Sequence, residues 1–405
     1  MQEIRTSGKL TRHLQDRQSA LLRKRQQLED AGQGLIHLHT DNASLFGFEP
    51  PPEMIQDVRL NLHECDAYAD AKGLFSARKA IMQYAQHKRI ANVTTDHILL
   101  GNGVSELIQA GVHALLNKGD EVLIPCPDHP LWTLAVTLAG GTAVHYRCDE
   151  QSAWYPDLDD LRARITPATR ALVIINPNNP TGAVYPRAVL LQMLEIARQH
   201  QLVVFSDEVH DKILFDGIEH VATASLAEDL LVVTLNGLSK NYRLAGFRSG
   251  WIIISGATGY ARDYIEGLEM LCNMRMCANV PAMYAIQTAL GGHQSIHELV
   301  APEGLLRQQR DIAYETLNTL PGISCIKPQG ALYCFPKLNR SRFNLFDDER
   351  MAIDLLEQHR ILIMHGRAFQ WPEPDHFRVV FLPGPEELHE AMSRMHRFFT
   401  HYVQA

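Results

Sequence analysis

The apolar run LLVVTL (residues 230–235) is followed by the stretch NGLSKNYRLAGFRSGW, which contains a lysine and two arginines. Lys240 lies in the turn after that run, and Arg248 follows it by eight residues. Such a pair is either a surface charge pair at a strand–helix turn or a nucleophilic amine beside a cation that binds an anionic ligand. The residues that follow the other apolar runs distinguish between these two interpretations.

Three other apolar runs also end in groups that can do chemistry. Gly103, Val104 and Ser105 stand in GNGVSELI, where free backbone N–H groups at the start of a helical pattern favour a phosphate. Asn179 in NPNNPTG has an amide that can donate to a phenolate-type oxygen, and Asp207 in SDEVHDK can pair with a protonated ring nitrogen. Each motif alone also has a structural explanation, as a tight turn, a stiff proline turn or a helix N-cap.

The apolar runs themselves predict a mainly parallel sheet. The seven predicted strands are residues 97–101, 121–126, 143–148, 171–176, 202–207, 230–235 and 251–256. Helical patterns lie between several of them, as in an α/β sheet that is covered by helices and built with right-handed crossovers. Because ligands bind beyond the carboxyl ends of such strands, the residues that follow the runs should meet at one edge.

Together these residues meet the requirements of pyridoxal 5′-phosphate. Lys240 would form the Schiff base, Asp207 would keep the pyridine nitrogen protonated, and Asn179 would bond the ring oxygen. The Gly103–Ser105 turn and Arg248 would neutralise the phosphate dianion. A purely structural origin does not readily place all four kinds of group in this order, so the sequence predicts a pyridoxal phosphate site.

The two ends of the chain predict a smaller α/β unit. A polar arm over about residues 8–31 has a helical pattern, and the last hundred residues hold the runs GALYCFP, RILIMHG and FRVVFLP before a helical tail. We expect the N-terminal arm and part of the small domain in residues 1–45, a large cofactor-binding domain in residues 46–295, and a small C-terminal domain in residues 296–405.

Composition and charge exclude several classes of protein. A formal net charge of -8 without a long basic block argues against a nucleic-acid partner. Seven cysteines without a C-x-x-C pair and 20 dispersed histidines predict free thiols in a reducing cytoplasm and no metal. The stretch MQEIRTSGKLTRHLQ lacks the apolar core of a signal peptide, and no apolar run reaches membrane-spanning length. We therefore expect a cytoplasmic protein with no membrane partner.

The motifs resemble those of the class I and II aminotransferases of pyridoxal phosphate fold type I. NPNNPTG, SDEVHDKI and NGLSKNYRLAGFRSGW are similar to the best-known signatures of that superfamily. GNGVSELI, PLWTLAV, YIEGLEML, CANVPA, AIQTALGG and GALYCFPK resemble its bacterial glutamate–pyruvate (alanine) aminotransferase branch, over about residues 35–400. The resemblance implies an α/β fold with a mainly parallel seven-stranded sheet in the large domain and a smaller α/β domain from the two chain ends.

The resemblance assigns roles to further residues by matching position. It implies that Lys240 is the Schiff-base lysine and the base of the 1,3-proton shift, and that Ser239 lies near the cofactor phosphate. Arg378 in HFRVVFLP would bind the substrate α-carboxylate, with Asn179 also facing the substrate. Tyr68 in DAYADAKGLFSARKA would reach the phosphate of the partner subunit's cofactor. An obligate homodimer with composite sites follows from that assignment.

Three positions depart from the family pattern, and all would lie at the site. His210 and His129 stand where tyrosines usually bond the ring oxygen and stack on the ring; a histidine can do both but titrates near neutrality. The same-fold C–S β-lyases carry a similar SDE-x-H. Asp41 in HLHTDNASLFGF stands where the branch has glycine, near the substrate carboxylate, which it would repel unless a cation intervenes. The other interpretation is harmless drift, with the side chain turned away.

We expect an aminotransferase that moves an α-amino group between an alanine- or glutamate-like amino acid and a 2-oxo acid through a Lys240 aldimine. The departures leave an alternative open: a β- or γ-eliminating lyase, an oxygen-dependent amino acid oxidase, or an aminotransferase with a changed, cationic substrate. A non-catalytic regulator that binds pyridoxal phosphate would need a DNA-binding module, for which the N-terminal arm is too short and not basic enough.

Overall fold

The computed structural model describes residues 6–10 and 20–405. Its α-helices are α1 (Ala20–Asp30), α2 (Pro52–Leu60), α3 (Phe75–His87), α4 (Val104–Leu115), α5 (Leu131–Ala139), α6 (Leu158–Ala163), α7 (Arg187–Gln199), α8 (Arg262–Met274), α9 (Val280–Gly291), α10 (Ile296–Val300), α11 (Leu305–Thr319), α12 (Arg340–Phe343), α13 (Asp348–His359) and α14 (Pro385–His401). Of the arm predicted over residues 8–31, residues 11–19 lie outside the description and α1 lies within it.

The strands are short except in one large sheet. They are β1 (Ile36–His37), β2 (Ile98–Gly101), β3 (Glu121–Cys126), β4 (Thr142–Asp149), β5 (Tyr155–Pro156), β6 (Thr169–Ile175), β7 (Val203–Asp207), β8 (Leu231–Gly237), β9 (Gly250–Gly256), β10 (Ile323–Ser324), β11 (Tyr333–Cys334), β12 (Lys337–Leu338), β13 (Ile361–Leu362), β14 (Met364–His365) and β15 (Phe377–Val380).

The large sheet has eight strands in the order β2-β9-β8-β7-β6-β3-β4-β5. Strands β8, β7, β6, β3 and β4 pair in parallel. Strand β9 is antiparallel to both β8 and β2, so β2 points the same way as β8. The seven strands predicted from the sequence and their mainly parallel course are confirmed. The eighth, β5, is a two-residue edge strand that pairs antiparallel with β4.

Both faces of the sheet are covered by helices, which explains why its strands lack polar alternation. Along β6, Leu172 and Ile174 pack into one apolar cluster, while Val173 and Ile175 pack into the other. Helices α3, α7 and α9 contribute to the first cluster, and α4, α5 and α8 contribute to the second. Each fully buried aliphatic side chain in these layers contributes about 1.5–3 kcal/mol to folding.

A separate apolar core draws on both ends of the chain. Leu21 and Leu38 share it with Leu356 and Leu388, and strand β1 pairs in parallel with β13. Ile213, from the middle of the sequence, also packs into this core. The domain boundaries at residues 45 and 295 stay a prediction. Within the described residues, none of the helices is both long enough and apolar enough to cross a membrane.

Candidate active site

Polar side chains from several loops meet at one edge of the large sheet. Strands β2, β3, β6, β7 and β8 end at this edge, and Ser105, His129, Asn179, Asp207 and Lys240 lie at or just after these ends. Strand β9 runs the opposite way, so it begins where the others end. The turn that contains Arg248, two residues before Gly250, therefore lies at the same edge.

These side chains surround a cavity of about 380 Å³, within the size range of about 300–1,000 Å³ typical of small-molecule sites. Ten of the thirteen residues that the sequence predicted for the site line it: Asp41, Val104, Ser105, His129, Asn179, Asp207, His210, Ser239, Lys240 and Arg248. Two more are in contact with a lining residue, because Gly103 packs against the guanidinium of Arg248 and Arg378 bonds Asn179. Tyr68 does not line the cavity and is 78% exposed.

The start of helix α4 and Arg248 form a cradle for an anion. Gly103 precedes the helix with a φ of +84° and, as a glycine, offers no side-chain cap to the first turn of the helix. A Cβ atom on Gly103 would overlap the Arg248 guanidinium, and one on Gly250 would lie 2.7 Å from the backbone nitrogen of Val104. The two glycines therefore let the guanidinium and the positive end of the helix approach one another, as phosphate binding requires.

Asp207 ends strand β7 as a buried carboxylate with few partners. The Trp132 indole N–H donates to its Oδ2 at 3.2 Å, and the Val209 backbone N–H donates to its Oδ1 at 3.4 Å. Burial raises the pKa of Asp207 to about 6, although the hydrogen bonds from Trp132 and Val209 and the charge of Lys240 act in the opposite direction. A protonated ring nitrogen at this carboxylate would offset the cost of burial.

Arg378 reaches the site from strand β15, which belongs to the separate apolar core formed by the two ends of the chain. Its guanidinium donates to Asn179 Oδ1 at 3.0 Å and to the His39 carbonyl at 2.6 Å, and it lies 4.7 Å from the ring centres of Tyr333 and Phe369. Because Asn179 accepts through Oδ1, its amide nitrogen remains as the donor for another group. Within the described residues, the Nε of Arg378 is buried without a hydrogen-bond partner.

Asp41 contacts Lys240 directly. Its Oδ2 lies 2.7 Å from Lys240 Nζ, and the same Oδ2 accepts a hydrogen bond from the Tyr333 hydroxyl. The side chain is therefore not turned away from the site, and the cation that faces it is the lysine. The contact between Asp41 and Lys240 joins the segment that follows β1 to the turn that follows β8.

His129 and His210, which stand where the family resemblance predicts tyrosines, are neutral near pH 7. Burial, with a smaller contribution from the charge of Lys240, lowers the pKa of His129 to about 4 and that of His210 to about 3. His210 Nε2 lies 3.3 Å from the Tyr333 hydroxyl, whereas its Nδ1 is buried with no partner in the described part of the chain. His210 can therefore accept or donate one more hydrogen bond toward a ligand.

Sequence reasoning missed two side chains that support the site, Trp132 and Tyr333. Trp132 follows His129 by three residues in helix α5, and Tyr333 belongs to β11, in the run GALYCFP. Both are fully buried aromatic residues whose single polar group needs a partner, which Asp207 and Asp41 provide. The sequence shows the aromatic residues but gives no sign of which carboxylate each would meet.

The arrangement fits a phosphate-bearing aromatic ring. The anion cradle, the buried Asp207, the amide of Asn179 and His210, whose Nδ1 has no partner among the described residues, lie at the same cavity as the amine of Lys240. A ligand with one phosphate, one ring nitrogen and one ring oxygen could satisfy all of them. In the described residues, no group of three or more His, Cys, Asp or Glu side chains could hold a metal ion.

Comparison with known proteins gives the same class that the fold and site define. The family model "Aminotransferase class I and II" matches residues 35–395. The glutamate–pyruvate aminotransferase AlaA of Escherichia coli (strain K12) is 54% identical over 404 residues, which is 100% of each chain. The alanine aminotransferase of Mycobacterium bovis is 50% identical over 378 residues, 93% of this chain and 88% of that protein.

A solved structure agrees with these sequence matches. The crystal structure of an aminotransferase from Escherichia coli superposes with a TM-score of 0.98 at 53% identity and covers 100% of both chains. This chain therefore belongs to the class I and II aminotransferases and is an aminotransferase. Members of the family use pyridoxal phosphate and act on amino acids and 2-oxo acids.

Replacing Gly103 by alanine should disrupt the anion cradle. The Cβ atom would meet the Arg248 guanidinium at a positive φ, so we expect a loss of stability of about 1 kcal/mol or more and weaker anion binding. Thermal unfolding of the apoprotein with and without excess inorganic phosphate measures both effects.

Gly259→Ala is the matched control, because a Cβ atom there meets nothing within 4 Å. Phosphate should raise the unfolding temperature of the wild type and of this control, and should raise that of Gly103→Ala by less. Equal stabilisation of all three proteins would rule out the cradle as an anion site.

Proposed function

We propose that this aminotransferase binds pyridoxal 5′-phosphate covalently at Lys240 and exchanges amino groups between alanine, glutamate and their 2-oxo acids. The observation that carries the proposal is the position of Asp207 at the end of β7 and of Lys240 just after the adjacent parallel strand β8, on one cavity with Arg248. An amine, a buried carboxylate and a phosphate cradle at one sheet edge suit few other ligands.

Bound pyridoxal phosphate supplies an aldehyde carbon that captures amines and a protonated ring that accepts electrons from the substrate α-carbon. Lys240 Nζ would bind that carbon and then move the proton between substrate atoms. Asp207 would hold a proton on the ring nitrogen, and Asn179 would donate its amide N–H to the ring oxygen. Arg248, Ser239 and the start of α4 would hold the phosphate.

Arg378 is the proposed site for the substrate α-carboxylate. Its guanidinium is oriented by Asn179 and by the His39 carbonyl and is flanked by two aromatic rings. A guanidinium fixed in this way can form a bidentate pair with a carboxylate. The choice of alanine, glutamate and their oxo acids is supported by the names of the relatives, glutamate–pyruvate aminotransferase and alanine aminotransferase.

The charge of Asp41 favours testing a second group of substrates. A carboxylate on the cavity wall disfavours a further anionic group nearby and favours a cationic one. Asp41, His129 and His210 are also the three departures from the family pattern that leave an eliminating lyase or an oxidase open as alternatives. Elimination and oxidation are therefore tested in the same site. The experiment below therefore includes basic and sulfur-containing amino acids.

A half-reaction assay tests the proposal. Purified protein is incubated with one amino acid and no oxo acid, and the keto product and the cofactor are then identified. With L-alanine or L-glutamate we expect about one equivalent of pyruvate or 2-oxoglutarate per site, with the cofactor recovered as pyridoxamine phosphate. Preference for a cationic amino acid would revise the substrate. Release of ammonia, sulfide or peroxide instead would replace transamination by elimination or oxidation.

The matched variants for this assay are Lys240→Ala and Lys118→Ala. Loss of Lys240 should remove the visible absorption of the holoenzyme and reduce the half-reaction by at least about 10³-fold, within the range of a general base. Lys118 is exposed at the end of the loop after α4, so its variant should match the wild type. A fully active Lys240→Ala protein would disprove the assignment.

We further propose a homodimer with composite sites. Among the exposed large apolar side chains, two lie on the Tyr68–Phe75 segment and two on helix α8: Tyr68 is exposed by 78%, Phe75 by 61%, Met270 by 60% and Met274 by 76%. We refer to these four residues as the exposed apolar surface. Exposed apolar side chains on neighbouring segments are typical of a surface that a partner covers.

Ion pairs connect the segments of this surface with each other and with the site. Lys72 Nζ lies 2.6 Å from Glu269, which joins the Tyr68–Phe75 segment to the end of α8. Arg275 Nε lies 3.2 Å from Glu106 in the first turn of α4, beside the anion cradle. A second copy that covers the surface could therefore bring its Tyr68 to the phosphate of this chain.

Sedimentation velocity tests the dimer. We expect a species of twice the 45.6 kDa chain mass, and Phe75→Asp/Met274→Asp should raise the dissociation constant at least tenfold, which is a cost of about 1.4 kcal/mol. Leu191→Asp, at a position 41% exposed on α7, is the control that should stay dimeric. A wild type that is monomeric and active would contradict the composite site.

A cytoplasmic location completes the proposal. All seven cysteines lie within the described residues and are free thiols, several of them buried. Free thiols are typical of proteins from a reducing compartment.

A further inference from the structure

Asp41 contacts Lys240 through both its side chain and its main chain. The carboxylate Oδ2 lies 2.7 Å from Nζ, and the carbonyl oxygen accepts a hydrogen bond from the same Nζ at 3.3 Å. The Tyr333 hydroxyl donates to Oδ2 and orients the carboxylate. Lys240 has a long flexible side chain, so these contacts fix where its amine stands on the cavity wall.

The other groups around this pair leave Asp41 as the anion in direct contact with the amine. The titratable and charged groups that face Asp41 or Lys240, or share their cavity, are Arg378 from β15, Tyr333 from β11, His39 after β1, His129 before α5, Asp207 and His210 at and after the end of β7, and Arg248 in the turn before β9.

Each of these groups can be assigned a charge near pH 7. Burial raises the pKa of Asp41, but the positive charges of Lys240 and Arg378 outweigh burial and hold it well below its usual value. Burial also raises the pKa of Tyr333 well above its ordinary value and lowers that of His39 to about 4, so neither is charged.

We propose that Asp41 is a further catalytic residue of this enzyme, which holds the proton on Lys240 Nζ. The proposal rests on the proposed function, since it takes Lys240 as the residue that carries the cofactor. A carboxylate in contact with a protonated nitrogen stabilises the protonated form, and an opposite charge at this range shifts a titration by about 1–3 pH units. The position is one where the family resemblance predicts glycine, so the effect would be particular to this chain.

In the described part of the chain, no other carboxylate is in contact with Lys240 Nζ. Asp207 is engaged by the Trp132 indole and the Val209 backbone N–H. The three histidines are neutral, and Arg378 and Arg248 are cations, so without Asp41 the described side chains around Nζ would be neutral or positive apart from Asp207. The proton should then leave Nζ at a lower pH.

The test is a pH titration of the visible absorption of the holoenzyme, which reports the proton on Lys240 Nζ without turnover. Asp41→Asn removes the charge and keeps the size of the side chain, whereas Asp41→Gly removes the whole side chain. Glu49→Gln is the control, because it removes one exposed negative charge eight residues further along the same segment.

The midpoint should fall by about 1–3 pH units in both Asp41 variants and should stay at the wild-type value in Glu49→Gln. Because two variants of different size are compared, poor folding of one leaves the other as the test. Wild-type midpoints in both Asp41 variants would overturn the inference while leaving the cofactor assignment intact. A wild type that develops no visible band with pyridoxal phosphate would instead overturn the proposed function, and this inference with it.

Discussion

Five adjacent strands of the large sheet run in one direction, and the position of almost every group in the site depends on that. The ends of β3, β6, β7 and β8 bring His129, Asn179, Asp207 and Lys240 to one edge. Since Ile175 pairs with Asp207 and Asp207 with Leu235, neighbouring strands deliver these groups side by side. The reversed strand β9 adds Arg248 because it begins where the others end. Burial on both faces fixes the register of these strands, and hence the spacing of the site.

Burial also determines which charges the site holds near neutral pH. It lowers the pKa values of His129 and His210 and raises that of Asp207 to about 6. The charges that remain near the amine at neutral pH are those of Arg378, Arg248, Asp41 and Asp207. Arg248 on the cavity wall and Arg378 beside Asn179 each favour an anionic group, whereas Asp41 contacts the amine of Lys240. The site therefore combines strong attraction for a phosphate and a carboxylate with a fixed anion beside the reacting nitrogen.

The sequence predicted the sheet and most of the site because both are encoded locally. An apolar run marks each strand, and the polar residue that follows it marks the edge, so Lys240, Asp207 and Asn179 could be found without knowledge of the packing. The contacts of Asp41 with Lys240 and of Arg378 with Asn179 each span 199 residues of sequence. These contacts depend on how the apolar core formed by the two chain ends packs against the large sheet, and no local sequence pattern specifies that packing. The same holds for Trp132 and Tyr333, whose partners belong to other elements.

Lys212 is the main rival of Lys240 as the reactive amine. Burial lowers its pKa to about 8, which favours the neutral form of the amine, but its Nζ donates to Tyr242 and Gln294 and it does not line the cavity. Reduction of the holoenzyme with borohydride, followed by proteolysis and mass spectrometry, distinguishes the two lysines. We expect the reduced cofactor on the peptide that contains Lys240; its recovery on the peptide of Lys212, or on no lysine, would disprove the role of Lys240.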